Sequence, residues 1–239
     1  MAVPDSLPTL SAGSHDASHG EACVMEYVSL LAGEEWSDRP ECTHEILAHE
    51  ARTTNDLLRD SDRSRLVPLI GRLFGTTEDS SDLRARLRLA QARQVIALLE
   101  PDSRGPALAA VARAEEWIGH DGDEEDVSDA LSTSALFTLP DGDLDHEHVD
   151  HHRTAARLFM FAHWTEIEAA EAYAMAALSI AHTIAASGEC RADCGNAPAR
   201  ARRMVRGLAD LIDVYDEVTG RVAREVTPAE IRELSAALA

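Results

Sequence analysis

Apolar residues recur every three or four positions through most of the chain, the period of helices with one buried face. Over about 19–32, Met25, Val28 and Leu31 share such a face. Ser18 and Glu21 are placed to open that helix as an S-x-x-E capping box, and Gly33 to close it. A second helix is predicted from a Thr43 cap to about Arg59, with Ile46, Leu47 and Leu57 facing inward. A third runs from about Asp62 to Phe74, where Pro68 must kink or restart it because proline lacks a backbone donor. Ser81 caps a fourth helix to Leu99, and Pro106 suits the first turn of a fifth that ends near Ile118. The longest pattern runs from about His151 to Ser187, roughly 55 Å at helical rise, and Gly188 ends it. A loop with Cys190 and Cys194 leads to a helix over about 197–219 with Pro198 in its first turn, and Thr227, Pro228 and Glu230 mark a last one.

The fold class that follows is all-α: a multi-helix bundle with one long central helix and an acidic, His-rich loop. No internal repeat and no strand pair is evident. Residues 1–17, rich in Pro, Ser, Gly and Asp, are expected to form a flexible tail. Residues 18–239 are expected to form one helical domain, with helices over 18–118, the acidic loop over 119–150 and further helices over 151–239.

Composition supports the helical reading. Aromatics are only 4% of the 239 residues, against 45% hydrophobic overall, so Ala and Leu carry most of the apolar content, whereas strands recruit β-branched and aromatic side chains. The formal net charge of -21 argues against nucleic-acid and anionic-membrane partners, which need clustered cations. All 22 basic residues are Arg, as GC-rich codon usage produces. No secretory signal or transmembrane run stands out, and four Cys are too few for a disulfide scaffold in a chain this long. A cytoplasmic location with reduced or metal-bound thiols is expected.

Two constellations carry candidate chemistry, both for zinc or iron. Near the N-terminus, Cys23 and Glu26 share a helix face, while Cys42 and His44 follow a short loop; thiolate, imidazole and carboxylate are the ligand types such metals take. Glu41-x-x-His44 also has the spacing used in di-iron helical proteins, to which Glu168 and Glu171 would add carboxylates. The alternative site is the string His146-Glu147-His148-Val149-Asp150-His151. It matches the H-x-H-x-D-H motif of the metallo-β-lactamase fold, but that motif follows a buried strand, and the surroundings here are helical. The aspartates at 141, 143 and 145 fail the calcium-loop pattern, which needs Gly at the sixth position, where His146 stands, and Glu at the twelfth, where His152 stands. Cys190-x3-Cys194 has the wrong spacing for a thioredoxin-like motif and leaves open a zinc half-site, a disulfide or an incidental pair. No phosphate-binding loop or serine nucleophile motif occurs.

The stretch over 22–75 carries Cys23-Val-Met-Glu26, Ala32-Gly33-Glu34, Trp36-Ser-Asp38, Pro40-x-Cys42, Asn55-Asp56 and Arg65-Leu-x-Pro68-Leu-Ile. In these features it resembles an uncharacterised family of actinobacterial and phage proteins. The resemblance covers about a quarter of the chain and implies no activity.

Two functional readings stand side by side. One is a metal-binding helical protein, extending to a metal-dependent enzyme of undefined substrate. The other is a non-catalytic helical protein that oligomerises or binds a basic protein partner, in which Arg84–Arg93 and Arg200–Arg206 pair with the acidic loop within or between chains. A metal-free small-molecule pocket would need Trp164, Tyr173, Glu168 and Glu171.

Overall fold

The computed structural model describes residues 9–18, 20–119 and 168–222, and these are mostly helical. The acidic His-rich stretch, including His146, His148, Asp150 and His151, lies outside the described residues. So do Trp164, residues 151–167 of the expected long helix and the final capping box around Thr227 and Glu230. The contacts define two compact units: Met1–Glu78 with Ala201–Ala239, and Asp79–Arg200.

The first unit opens with a two-residue parallel pair, β1 (Thr9–Leu10) on β2 (Glu21–Ala22), Thr9 facing Glu21 and Leu10 facing Ala22. This corrects the expected absence of a strand pair, while residues 1–8 of the expected tail lie outside the described residues. The described part of that tail is fastened by its own backbone: Ser11 N donates to Ala22 O at 2.9 Å, and Ser11 O accepts from the Asn55 side chain at 2.7 Å. Helix α1 (Val24–Ala32) then starts later than expected. Cys23 and Glu26 form its capping box in place of Ser18 and Glu21, and Gly33, at φ 70°, ends it in the left-handed conformation that glycine adopts without a Cβ penalty.

Helix α2 (Glu45–Leu57) follows, capped by His44 in place of Thr43. Pro68 restarts the chain as expected. The predicted third helix divides into α3 (Asp60–Arg63), a 3-10 turn (Ser64–Leu66) and α4 (Val67–Leu73), with Pro68 in the first turn of α4, where its missing donor costs nothing. Arg63 is buried and donates to Asn55 O, Leu58 O and Asp60 Oδ1, so the bend after α2 keeps its backbone acceptors satisfied.

Among the described residues, the second unit contains α5 (Ser81–Ile96), α6 (Gly105–Trp117) and α7 (Ala169–Ala186). Ser80 caps α5 by accepting from Leu83 N at 3.2 Å, and Pro106 sits in the first turn of α6 as predicted. The core is mostly alanine: Ala174, Ala177 and Ala181 of α7 are fully buried with Ala85 and Ala92 of α5 and with Ala107 and Ala114 of α6. Small side chains let helix axes approach toward the lower end of the usual 8–10 Å range. Leu89, Ile96, Leu99, Val111, Leu178 and Ile180 are the larger members of the same cluster.

Helix α8 (Ala197–Thr219) matches its expected bounds, and its residues from Ala201 onward belong to the first unit. There Tyr215, 1% exposed, accepts from Glu78 N at 2.8 Å, and Arg72 pairs with Asp213 and Asp216. Among the described residues, no helix is long and apolar enough to cross a membrane.

Candidate functional site

The first unit holds an imidazole fixed by a buried carboxylate. Glu26, in the first turn of α1, is fully buried. Its Oε2 accepts from Cys23 N at 2.6 Å and faces His15 Nδ1 at 3.1 Å, while Oε1 accepts from His15 N at 2.6 Å and Ser14 Oγ at 3.4 Å. One carboxyl group thus gathers Ser14 Oγ, His15 N, His15 Nδ1 and Cys23 N, and in the tautomer that carries its proton on Nδ1, His15 donates to Glu26 and presents Nε2 as an acceptor. Trp36 Nε1 donates to His15 O at 2.8 Å, and Gly13 N donates to Asp56 Oδ1 at 2.8 Å, so the residues flanking the ring are also fixed. The His15 side chain is 11% exposed, and its Nε2 points to the half-exposed Glu21 carboxylate at 4.0 Å.

The four residues expected as N-terminal metal ligands divide between two structural tasks. Cys23 and Glu26 lie together, as their spacing predicts, but both cap α1: Glu26 N donates to Cys23 Sγ at 3.4 Å, and Glu26 Oε2 accepts from Cys23 N. Cys42 and His44 knit the start of α2 to the end of α4. Gly75 N donates to Cys42 O at 2.9 Å, and His44 N donates to Thr76 Oγ1 at 3.1 Å. The His44 Nδ1 lone pair accepts from Ile46 N at 3.2 Å, and its ring meets Tyr215 edge-on at 5.9 Å. Among the described residues, no group of three or more His, Cys, Asp or Glu side chains is gathered as a ligand set.

The thiols here are held protonated. Burial is the largest cause for both: it pushes Cys23 up to about 12, aided by the Glu26 charge, and it raises Cys42, aided by Glu34. Since thiolate is the reactive form, Cys23 and Cys42 should react only slowly with iodoacetamide in the folded chain near neutral pH and rapidly in urea, as read by mass spectrometry. Rapid labelling of the folded chain would contradict the burial described. The same shift makes stability fall with alkali. Between about 9 and about 12 the folded state keeps the Cys23 proton that the unfolded state has lost, so stability declines as pH rises through that window.

Elsewhere, Glu168 and Glu171 flank the start of α7, and Arg113 lies over the rings of Trp117 and Tyr173 at 5.9 and 5.4 Å. His15 escaped the sequence reading because a stretch of Gly, Ser, Asp and Ala around it has the composition of a tail. The available signal was the proximity of His15 to two glutamates, one of them at the start of an apolar helix. Comparison with family models, curated proteins and solved structures finds no match for the chain.

Proposed function

We propose that the chain is a metal-binding helical protein and that His15 and Glu21 supply its N-terminal ligands. One observation carries the reading: buried Glu26 holds His15 Nδ1 at 3.1 Å, and Nε2 stands 4.0 Å from Glu21 Oε2. A carboxylate on one ring nitrogen is the outer support that sets the tautomer of a metal-ligating histidine and raises the basicity of its other nitrogen. Imidazole with carboxylate suits zinc or ferrous iron. Two protein ligands leave the remaining positions of a tetrahedral sphere to water, which makes the site weak compared with a closed structural zinc site. That openness is also what metal-assisted hydrolysis requires, because bound water becomes a nucleophile near neutral pH. In this reading Glu26 is a support for the ligand rather than a ligand, and Cys42 and His44 take no part.

The test is calorimetric titration of zinc and ferrous iron into the full, metal-free chain, beside His15→Ala, Glu21→Gln, Cys42→Ala and His148→Ala variants. Binding that disappears in His15→Ala, weakens in Glu21→Gln and is unchanged in the other two is the expected result. Loss in His148→Ala with His15→Ala unaffected would move the site to the His146–His151 string. No binding by the unaltered chain would overturn the metal reading and leave the non-catalytic, partner-binding one.

A further inference from the structure

The second unit contains a different piece of chemistry, in the loop between α7 and α8. Glu189, Cys190 and Arg191 lie antiparallel to the end of the α5 segment: Glu100 N donates to Glu189 O at 2.9 Å, Arg191 N donates to Leu98 O at 2.8 Å, and Cys190 stands opposite Leu99. Ser103 Oγ also donates to the Glu189 carboxylate. Cys190 is thereby fixed on a framework. The chain then turns sharply, Cys194 N donating to Arg191 O at 2.9 Å, and this turn brings Cys194 back toward Cys190, whose Sγ donates to Ala185 O at 3.6 Å. Neither is in a disulfide, and Cys190 is half-buried and Cys194 buried. Cys23 and Cys42 lie in the other unit, with Glu26 N and Thr43 Oγ1 beside their sulfurs.

We infer that Cys190 and Cys194 are a redox pair which a small-molecule disulfide, such as oxidised glutathione, converts to one intramolecular disulfide. The more accessible Cys190 attacks as thiolate, forming a mixed disulfide and expelling one glutathione thiolate. Cys194 thiolate then attacks the Cys190 sulfur, forming the Cys190–Cys194 bond and expelling the second. Two protein thiols are oxidised, one glutathione disulfide is reduced to two thiols, and the two protein protons pass to the departing thiolates. Because the turn between the two residues is already closed, the bond at about 2.05 Å asks mainly for side-chain rotation. Closing so short a loop removes little chain entropy, so the bridge is weakly held and reducing conditions reopen it. The Cys190 thiol is raised above its ordinary range, first by the hydrogen bond with Cys194 and then by burial, so oxidation should speed up as pH rises.

The experiment equilibrates the full chain in buffers of varied reduced-to-oxidised glutathione ratio, quenches with an alkylating agent and maps the peptides by mass spectrometry. The expected result is a single species lighter by two hydrogens, with the peptides bearing Cys190 and Cys194 joined, and with Cys23 and Cys42 alkylated only after denaturation. A Cys194→Ser variant should instead accumulate glutathione on Cys190, having lost the group that resolves the mixed disulfide. Free, alkylated Cys190 and Cys194 across the whole range would overturn the inference, as would disulfides joining separate chains. The peptide map of the unaltered chain decides the matter even if the variant fails to fold.

Discussion

Glu26→Ala should lower stability by about 3 kcal/mol or more, read as a fall in the urea midpoint. The change removes a buried acceptor and leaves Cys23 N, His15 N and His15 Nδ1 without their partner. Each buried group left unpaired costs on the order of 1–3 kcal/mol, and three are stranded together here. Glu26→Gln is the informative companion. It conserves volume, but an amide has one acceptor oxygen and turns two donors toward backbone donors. Most of the loss should therefore persist. If the Gln variant melts with the unaltered chain, the second carboxyl oxygen is not what fastens residues 13–15 to α1.

Ala177→Leu should destabilise the second unit by about 1–3 kcal/mol or more. Ala177 is fully buried in the cluster that α5, α6 and α7 share. Adding three carbons where the helices meet through alanine forces strained rotamers or a shift of whole helices. Ala112→Leu is the control: Ala112 is exposed on α6, and the same change there should stay within about 0.5 kcal/mol. Equal melting of the two variants would mean that the alanine contact has room to spare. The contrast isolates crowding from any change in helix propensity, since Ala and Leu are both strong helix formers.

The helices of both units were legible in the sequence where the chain supplies strong punctuation. Pro106 and Pro198 lie in first turns, Pro68 restarts a helix, and Gly33 ends one, because the backbone restrictions of these residues act locally. The start of α1 was misjudged for an equally local reason. Ser18-x-x-Glu21 and Cys23-x-x-Glu26 have the same spacing, and serine is the better cap by propensity. The parallel pairing of Glu21–Ala22 with Thr9–Leu10 decides for the second, and no propensity encodes that pairing. The His15–Glu26 arrangement was hidden for the same reason, since it depends on Trp36, Asn55 and Asp56 holding a glycine- and serine-rich stretch from far along the chain. Cys42 and His44 looked like ligands because their chemistry permits it. Their distant partners are Gly75 and Thr76, backbone and hydroxyl groups that no ligand pattern contains.

The pairing of β1 with β2 also fixes where this molecule can be trimmed or fused. A shortened version beginning at Ala17 would keep every residue of α1 yet discard Ser14 and His15, stranding the Glu26 carboxylate with Cys23 N, and would strip Asn55 and Asp56 of Ser11 and Gly13. Such a version should express poorly although nothing resembling a core residue is missing. An affinity tag is therefore best attached ahead of Thr9, with the strand and the segment behind it left whole.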